Sequence, residues 1–86
     1  MHDEPPVVPE SIRASIAASI ACEQLEVRGD GHHFEALIVA SAFDGLARVR
    51  RHQLVYAALG DRMRQEIHAL SMRTLTPAEW RAAKEP

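Results

Sequence analysis

Between Phe43 and Met63 the chain reads F-D-G-L-A-R-V-R-R-H-Q-L-V-Y-A-A-L-G-D-R-M. Val55, Leu59 and Met63 recur every four residues, and Val49, Gln53 and Tyr56 follow at spacings of four and three. Leu54 and Ala58 lie beside them. This spacing predicts one long amphipathic helix whose apolar stripe is wide enough to face a sheet. The opposite face carries Arg48, Arg51, Asp61, Arg62 and Arg64. Asp44-Gly45 supplies the turn before the helix. Gly60 costs about 1 kcal/mol relative to alanine in a helix interior, so the last turn is the weakest.

A stripe of that width needs something to cover it, and the rest of the chain is short. Its 86 residues make one domain with a small core. The apolar fraction of 47% is that of a folded globule. A net charge of -2 gives no global attraction to nucleic acid or anionic membrane. Binding of that kind would need a local patch, and Arg48-Val49-Arg50-Arg51-His52 is the candidate. One cysteine, Cys22, excludes a disulfide framework and a metal site built only from this chain's thiolates. No apolar run reaches the roughly 18 residues of a membrane span. Met1 to Pro6 is acidic and proline-bearing and lacks the apolar segment of a signal peptide. The expected compartment is the reducing cytoplasm.

Taken in order, residues 1–8 read as a disordered lead-in. Pro9-Glu10-Ser11 opens a helix over residues 9–21, with Ile12, Ile16 and Ile20 as one apolar ridge. Leu25 to Arg28 alternates as a strand with one wet face. Gly29-Asp30-Gly31 reads as a turn whose glycines supply positive-φ positions. Phe34 to Ala40 follows as a second strand, paired with the first as a hairpin. Its almost continuous apolar end predicts a central place in the sheet. Ile67 to Thr74 alternates as a third strand. Thr76-Pro77-Ala78-Glu79 is a capping box with proline at the first helical position. It opens a short helix carrying Trp80, and residues 84–86 are expected to fray. The domain is therefore expected over 9–83. The order α-β-β-α-β-α, a three-stranded sheet with helices packed on one face, is that of the type II KH-like α+β fold.

The residues also resemble the BolA family over roughly positions 26–80. Three pieces carry the resemblance: Phe43-x-Gly45, the Arg51-His52-x-x-Val55 helix, and Ile67-His68-Ala69-Leu70 leading to Thr76-Pro77-x-x-Trp80. The G-D-G-x-H-F turn is most similar to the IbaG-type branch. The resemblance implies a module that pairs with a monothiol glutaredoxin. A [2Fe-2S] cluster then bridges the two proteins, with glutathione contributing a thiolate. It also implies two ligands from this chain. His68 matches the family's strand histidine, and His33 or His32 matches its loop ligand. Some members of the family are described as DNA-binding regulators linked to stress.

Each candidate has a plainer reading. His68 shares a strand face with Leu70 and Met72, where a histidine is ordinarily a satisfied core or rim residue. The chemistry of ligation is sound, because neutral imidazole binds iron and raises a cluster's potential when it replaces thiolate. His32 and His33 could equally be a polar hairpin tip. Cys22 reads as a buried or half-buried structural thiol. His52 reads as structural, hydrogen-bonded to the loop before its helix. Arg48, Arg50 and Arg51 at a helix start oppose the helix dipole slightly, and arginine suits phosphate or carboxylate. Phe43 and Trp80 read as packing anchors. No Cys-His pair at usable spacing, phosphate-binding glycine loop, paired-carboxylate site or H-E-x-x-H motif is present, so no enzyme is expected. The isolated chain is expected to hold no cluster and to be a monomer or weak homodimer. A DNA-binding regulator using the basic helix start is the alternative.

Overall fold

A computed structural model describes residues 8–63 and 69–85. The first helix, α1, spans Pro9–Ser19. Ser11 Oγ donates to the Val8 carbonyl at 2.8 Å and accepts from the Val8 N–H at 3.4 Å, which closes the first turn. Ile12, Ile16 and Ile20 are all buried. The helix stops short of residue 21 because Ile20 has extended dihedrals, which keep its side chain in the core while turning the chain toward the sheet.

Strands β1 (Gln24–Gly29) and β2 (Phe34–Val39) form an antiparallel hairpin, with Gln24 opposite Val39 and Gly29 opposite Phe34. Strand β3 (Leu70–Leu75) runs parallel to β2, with Phe34 opposite Leu70 and Val39 opposite Leu75. The order is β1-β2-β3, so β2 is central, as its apolar run predicted. Ile67 and His68, at the expected start of the third strand, lie outside the described residues. So does the lead-in apart from Val8.

Alternation puts Leu25 and Val27, then Phe34, Ala36 and Ile38, then Leu70, Met72 and Thr74 on one sheet face. Helices α1 and α2 (Arg48–Leu59) pack on this side and against each other. Phe34, Ile38, Phe43, Ile16 and Val55 are essentially solvent-free there. The final helix, α3 (Pro77–Lys84), begins on the expected capping box. Thr76 Oγ1 accepts from the Glu79 N–H at 3.1 Å, and Glu79 Oε1 accepts from the Thr76 N–H at 2.8 Å.

The long helix follows the expected turn at Gly45 but stops before Met63. Ser41–Phe43 forms one 3-10 turn that drives Phe43 into the core, Gly45 turns the chain at φ 77°, and α2 starts only at Arg48. Gly60 ends it at φ 63°, a positive-φ backbone that glycine adopts without steric cost. Another 3-10 turn, Gly60–Met63, follows. The apolar stripe is also narrower. Val55 and Leu59 are its centre, with Tyr56 and Ala58 packed at its flanks. Val49 is 66% exposed and Leu54 38%. At 100° per residue, Val49 lies about 100° and Leu54 about 120° from the midline of Val55 and Leu59, on opposite flanks of the stripe.

The hairpin turn needs its two glycines for different reasons. Gly31 has φ 94°, but Gly29 lies in the strand without positive φ. A Cβ on Gly29 would stand 2.5 Å from both the His33 carbonyl oxygen and Phe34 Cδ1. Gly29→Ala is therefore expected to destabilise the fold by about 1–3 kcal/mol through forced displacement of the Phe34 ring and the turn backbone. The midpoint of urea unfolding measures it, and an unchanged midpoint would show that the turn gives way freely.

Candidate functional site

The β1–β2 turn is ordered by Asp30. Its Oδ1 accepts the backbone N–H groups of His33 and His32, both at 2.9 Å. The Asp30 N–H donates to the His33 carbonyl at 3.2 Å. These two amide donors, His33 first, hold the Asp30 carboxyl below its usual range. The turn thus fixes the histidine backbones while both side chains stay exposed. His33 joins Arg28, Gly29, Asp30 and Glu35 around a shallow surface depression, and His32 is not among its lining residues.

His68 lies outside the described residues. The parallel register still carries information. Leu70 sits opposite Phe34, so β3 begins at the end of the sheet where His33 leads into β2. Cys22 precedes β1 and so belongs to the other end of the sheet. It is half-buried, its Sγ–H donates to the Ile20 carbonyl at 3.3 Å, and burial raises its thiol pKa against the pull of Arg13. That environment favours the thiol over the metal-binding thiolate. Among the described residues, no three His, Cys, Asp or Glu side chains come together as a metal site.

The basic start of α2 divides in two. Arg48 and Arg50 are exposed and form no ion pair among the described residues. Arg51 has a side chain only 13% exposed and is fully engaged. Its Nε donates to the Leu46 carbonyl at 2.8 Å, and Nη1 donates to the Thr74 carbonyl at 3.0 Å. Nη1 and Nη2 also grip Glu79 Oε1 and Oε2 at 2.7 and 3.2 Å. Arg51 therefore leaves the basic cluster and ties the loop before α2 to the end of β3 and the first turn of α3. The bond to that loop, expected from His52, comes from its neighbour. The guanidinium and the Thr76 N–H together lower the Glu79 pKa to about 2. Phe43 is buried as an anchor, whereas Trp80 is half-buried with Lys84 Nζ 5.2 Å from its ring centroid.

Comparison with known proteins follows the same lines. A family model described as BolA-like protein matches residues 10–79. The chain is 37% identical to human BolA-like protein 1, covering 86% of this chain and 61% of that protein. It thus spans about three fifths of that relative's length. It is also 37% identical to the acid stress protein IbaG of Escherichia coli K12, covering 80% of this chain and 83% of the relative. A third relative, at 40% identity, is a protein of Haemophilus influenzae named DNA-binding transcriptional regulator BolA, with 67% of this chain and 56% of that one covered. A bol-like protein from Babesia bovis superposes with a TM-score of 0.82 at 30% identity, covering 96% of this chain and all of that one. Among the described residues, no helix is long and apolar enough to cross a membrane.

The Arg51–Glu79 junction has a pH signature. Because the folded Glu79 pKa lies below its ordinary value of 4.5, its contribution to stability is complete above pH 4.5 and is lost as pH falls toward 2. Unfolding followed between pH 6 and 2 is expected to show this loss in the wild type. The loss should be smaller in Glu79→Gln, which cannot ionise. Arg51→Ala should lower stability by about 1–3 kcal/mol at neutral pH, since it leaves the Leu46 and Thr74 carbonyls without their donor at once.

Proposed function

Since this chain belongs to the BolA-like protein family, we propose that it serves as an iron–sulfur adaptor, pairing with a monothiol glutaredoxin around a shared [2Fe-2S] cluster. Two of the relatives are named as an acid stress protein and a DNA-binding transcriptional regulator rather than as enzymes, which agrees with a binding role. The supporting observation is the sheet end where exposed His33, its backbone already held by Asp30, stands beside the start of β3. His68 precedes Leu70 by two residues, a reach of about 7 Å of chain. The donor set suits a site shared between proteins. This chain would offer His68 and one loop histidine, His33 ahead of His32 because it lines the depression with Glu35. Thiolates would come from the partner and glutathione. When bound, such a cluster supplies one-electron chemistry or transferable iron and sulfide, and imidazole ligation raises its potential above that of an all-thiolate site.

The role of this chain's own residues would be to present imidazole nitrogens in a fixed frame. Holding the His33 amide on Asp30 removes backbone freedom before a partner arrives, so less entropy is lost on assembly. A second reading rests on Arg48 and Arg50, two exposed cations flanking exposed Val49, together with the name of the Haemophilus relative. They could contact nucleic-acid phosphates, and Arg51 could not do so without leaving Glu79.

Anaerobic reconstitution of the cluster on a monothiol glutaredoxin with glutathione, read by visible circular dichroism, tests the first reading. A new spectrum at one-to-one stoichiometry is expected on adding this protein. It should be lost in His68→Ala and altered more by His33→Ala than by His32→Ala. A spectrum indifferent to this protein would rule the adaptor role out. For the second reading, DNA affinity should fall steeply with salt and fall again in Arg48→Ala/Arg50→Ala with a shallower salt slope.

A further inference from the structure

We propose that the open edge of β1 is a self-association surface, pairing antiparallel with β1 of a second copy about a two-fold axis at Val27. The order β1-β2-β3 leaves β1 without a strand neighbour on its outer side among the described residues. The turn bond from the Asp30 N–H to the His33 carbonyl sets the phase of the hairpin ladder. Antiparallel bonding alternates, so Gln24, Glu26 and Arg28 direct their backbone groups toward β2. Leu25, Val27 and Gly29 direct theirs to the open edge. The Leu25 carbonyl agrees with this phase, since it is free of β2 and accepts Arg13 Nε at 3.2 Å.

Charge selects the occupant and the register. A two-fold centred on Val27 makes Val27–Val27 and Leu25–Gly29 the hydrogen-bonded pairs. It places Glu26 of each chain opposite Arg28 of the other in the non-hydrogen-bonded positions, where side chains approach most closely. Moving the axis to Glu26 puts carboxylate on carboxylate, and moving it to Arg28 puts guanidinium on guanidinium. Both side chains are exposed on the face away from the helices, and Glu26 has no ion-pair partner among the described residues. Arg28 already meets Glu35 of its own chain at 3.5 Å. In the pair it lies between that carboxylate and Glu26 of the second copy. Association also buries the remaining exposed parts of Leu25 and Val27, which are only partly covered at the edge. The Leu25 carbonyl has a second lone pair, so Arg13 need not leave. The product is a six-stranded sheet with both hairpin tips retained.

Sedimentation velocity over a concentration series should show the wild type associating, with amide exchange at Val27 and Gly29 slowing as concentration rises. Glu26→Arg sets a second guanidinium against Arg28 of the other chain and should weaken association about tenfold or more. The pair Arg28→Glu/Glu35→Arg keeps the internal ion pair with its signs exchanged and should also be monomeric alone. Mixing the two variants should restore a heterodimer, because opposite charges then face each other at both positions. Far-ultraviolet circular dichroism confirms that each variant is folded. A wild type monomeric at every concentration, a Glu26→Arg variant that associates as the wild type does, or a mixture that stays monomeric would each overturn the proposal.

Discussion

Strand β2 is the constraint on which the rest of the molecule depends. It is hydrogen-bonded on both sides, antiparallel to β1 and parallel to β3. It also puts Phe34, Ala36 and Ile38 under both helices. An antiparallel neighbour needs only a short turn, and Asp30 organises one. A parallel neighbour requires the chain to travel back along the sheet, and that return is where α2 comes from. The helix is thus a consequence of strand direction as much as of its own periodicity.

The return path creates a junction where three irregular segments meet, and Arg51 resolves their hydrogen-bonding needs. The loop at Leu46, the end of β3 at Thr74 and the cap of α3 all present acceptors to one guanidinium. Arginine fits because its donors form a rigid planar fork that reaches several acceptors at once, which a lysine ammonium cannot reproduce. The arrangement explains how α3, an eight-residue helix with no buried residue, keeps a defined position. Its attachment is polar and concentrated in its first turn. The same economy leaves Arg48 and Arg50 without an ion pair among the described residues.

The element order, the centrality of β2, the capping box and the isoleucine ridge are all legible in the sequence, because each is a local pattern with a single physical reading. The limits of α2 are less so. Periodicity from Val49 to Met63 continues through the second 3-10 turn, and only Gly60 marks where helical geometry stops. Arg51 reads as part of a solvated cluster because a charged residue carries no sign in the sequence of being desolvated. Its acceptors at Thr74 and Glu79 are more than twenty residues away. Gly29 reads as a turn glycine, whereas its role is steric, a close approach to Phe34 that no sequence pattern encodes. For the histidines, composition offers candidates and family resemblance ranks them. The fold adds that His33 and the start of β3 share one end of the sheet.

The two kinds of strand pairing also differ in when they can form. The β1–β2 hairpin closes a turn of four residues, whereas pairing Phe34 with Leu70 must wait for the whole intervening chain. On a ribosome the hairpin can therefore close while β3 and α3 are still unmade. During that interval β2 has an open edge as well as β1, and the face that will meet α2 is bare. The Asp30 turn, formed from neighbours in sequence, is available throughout this period to hold the register of the first two strands until the third arrives.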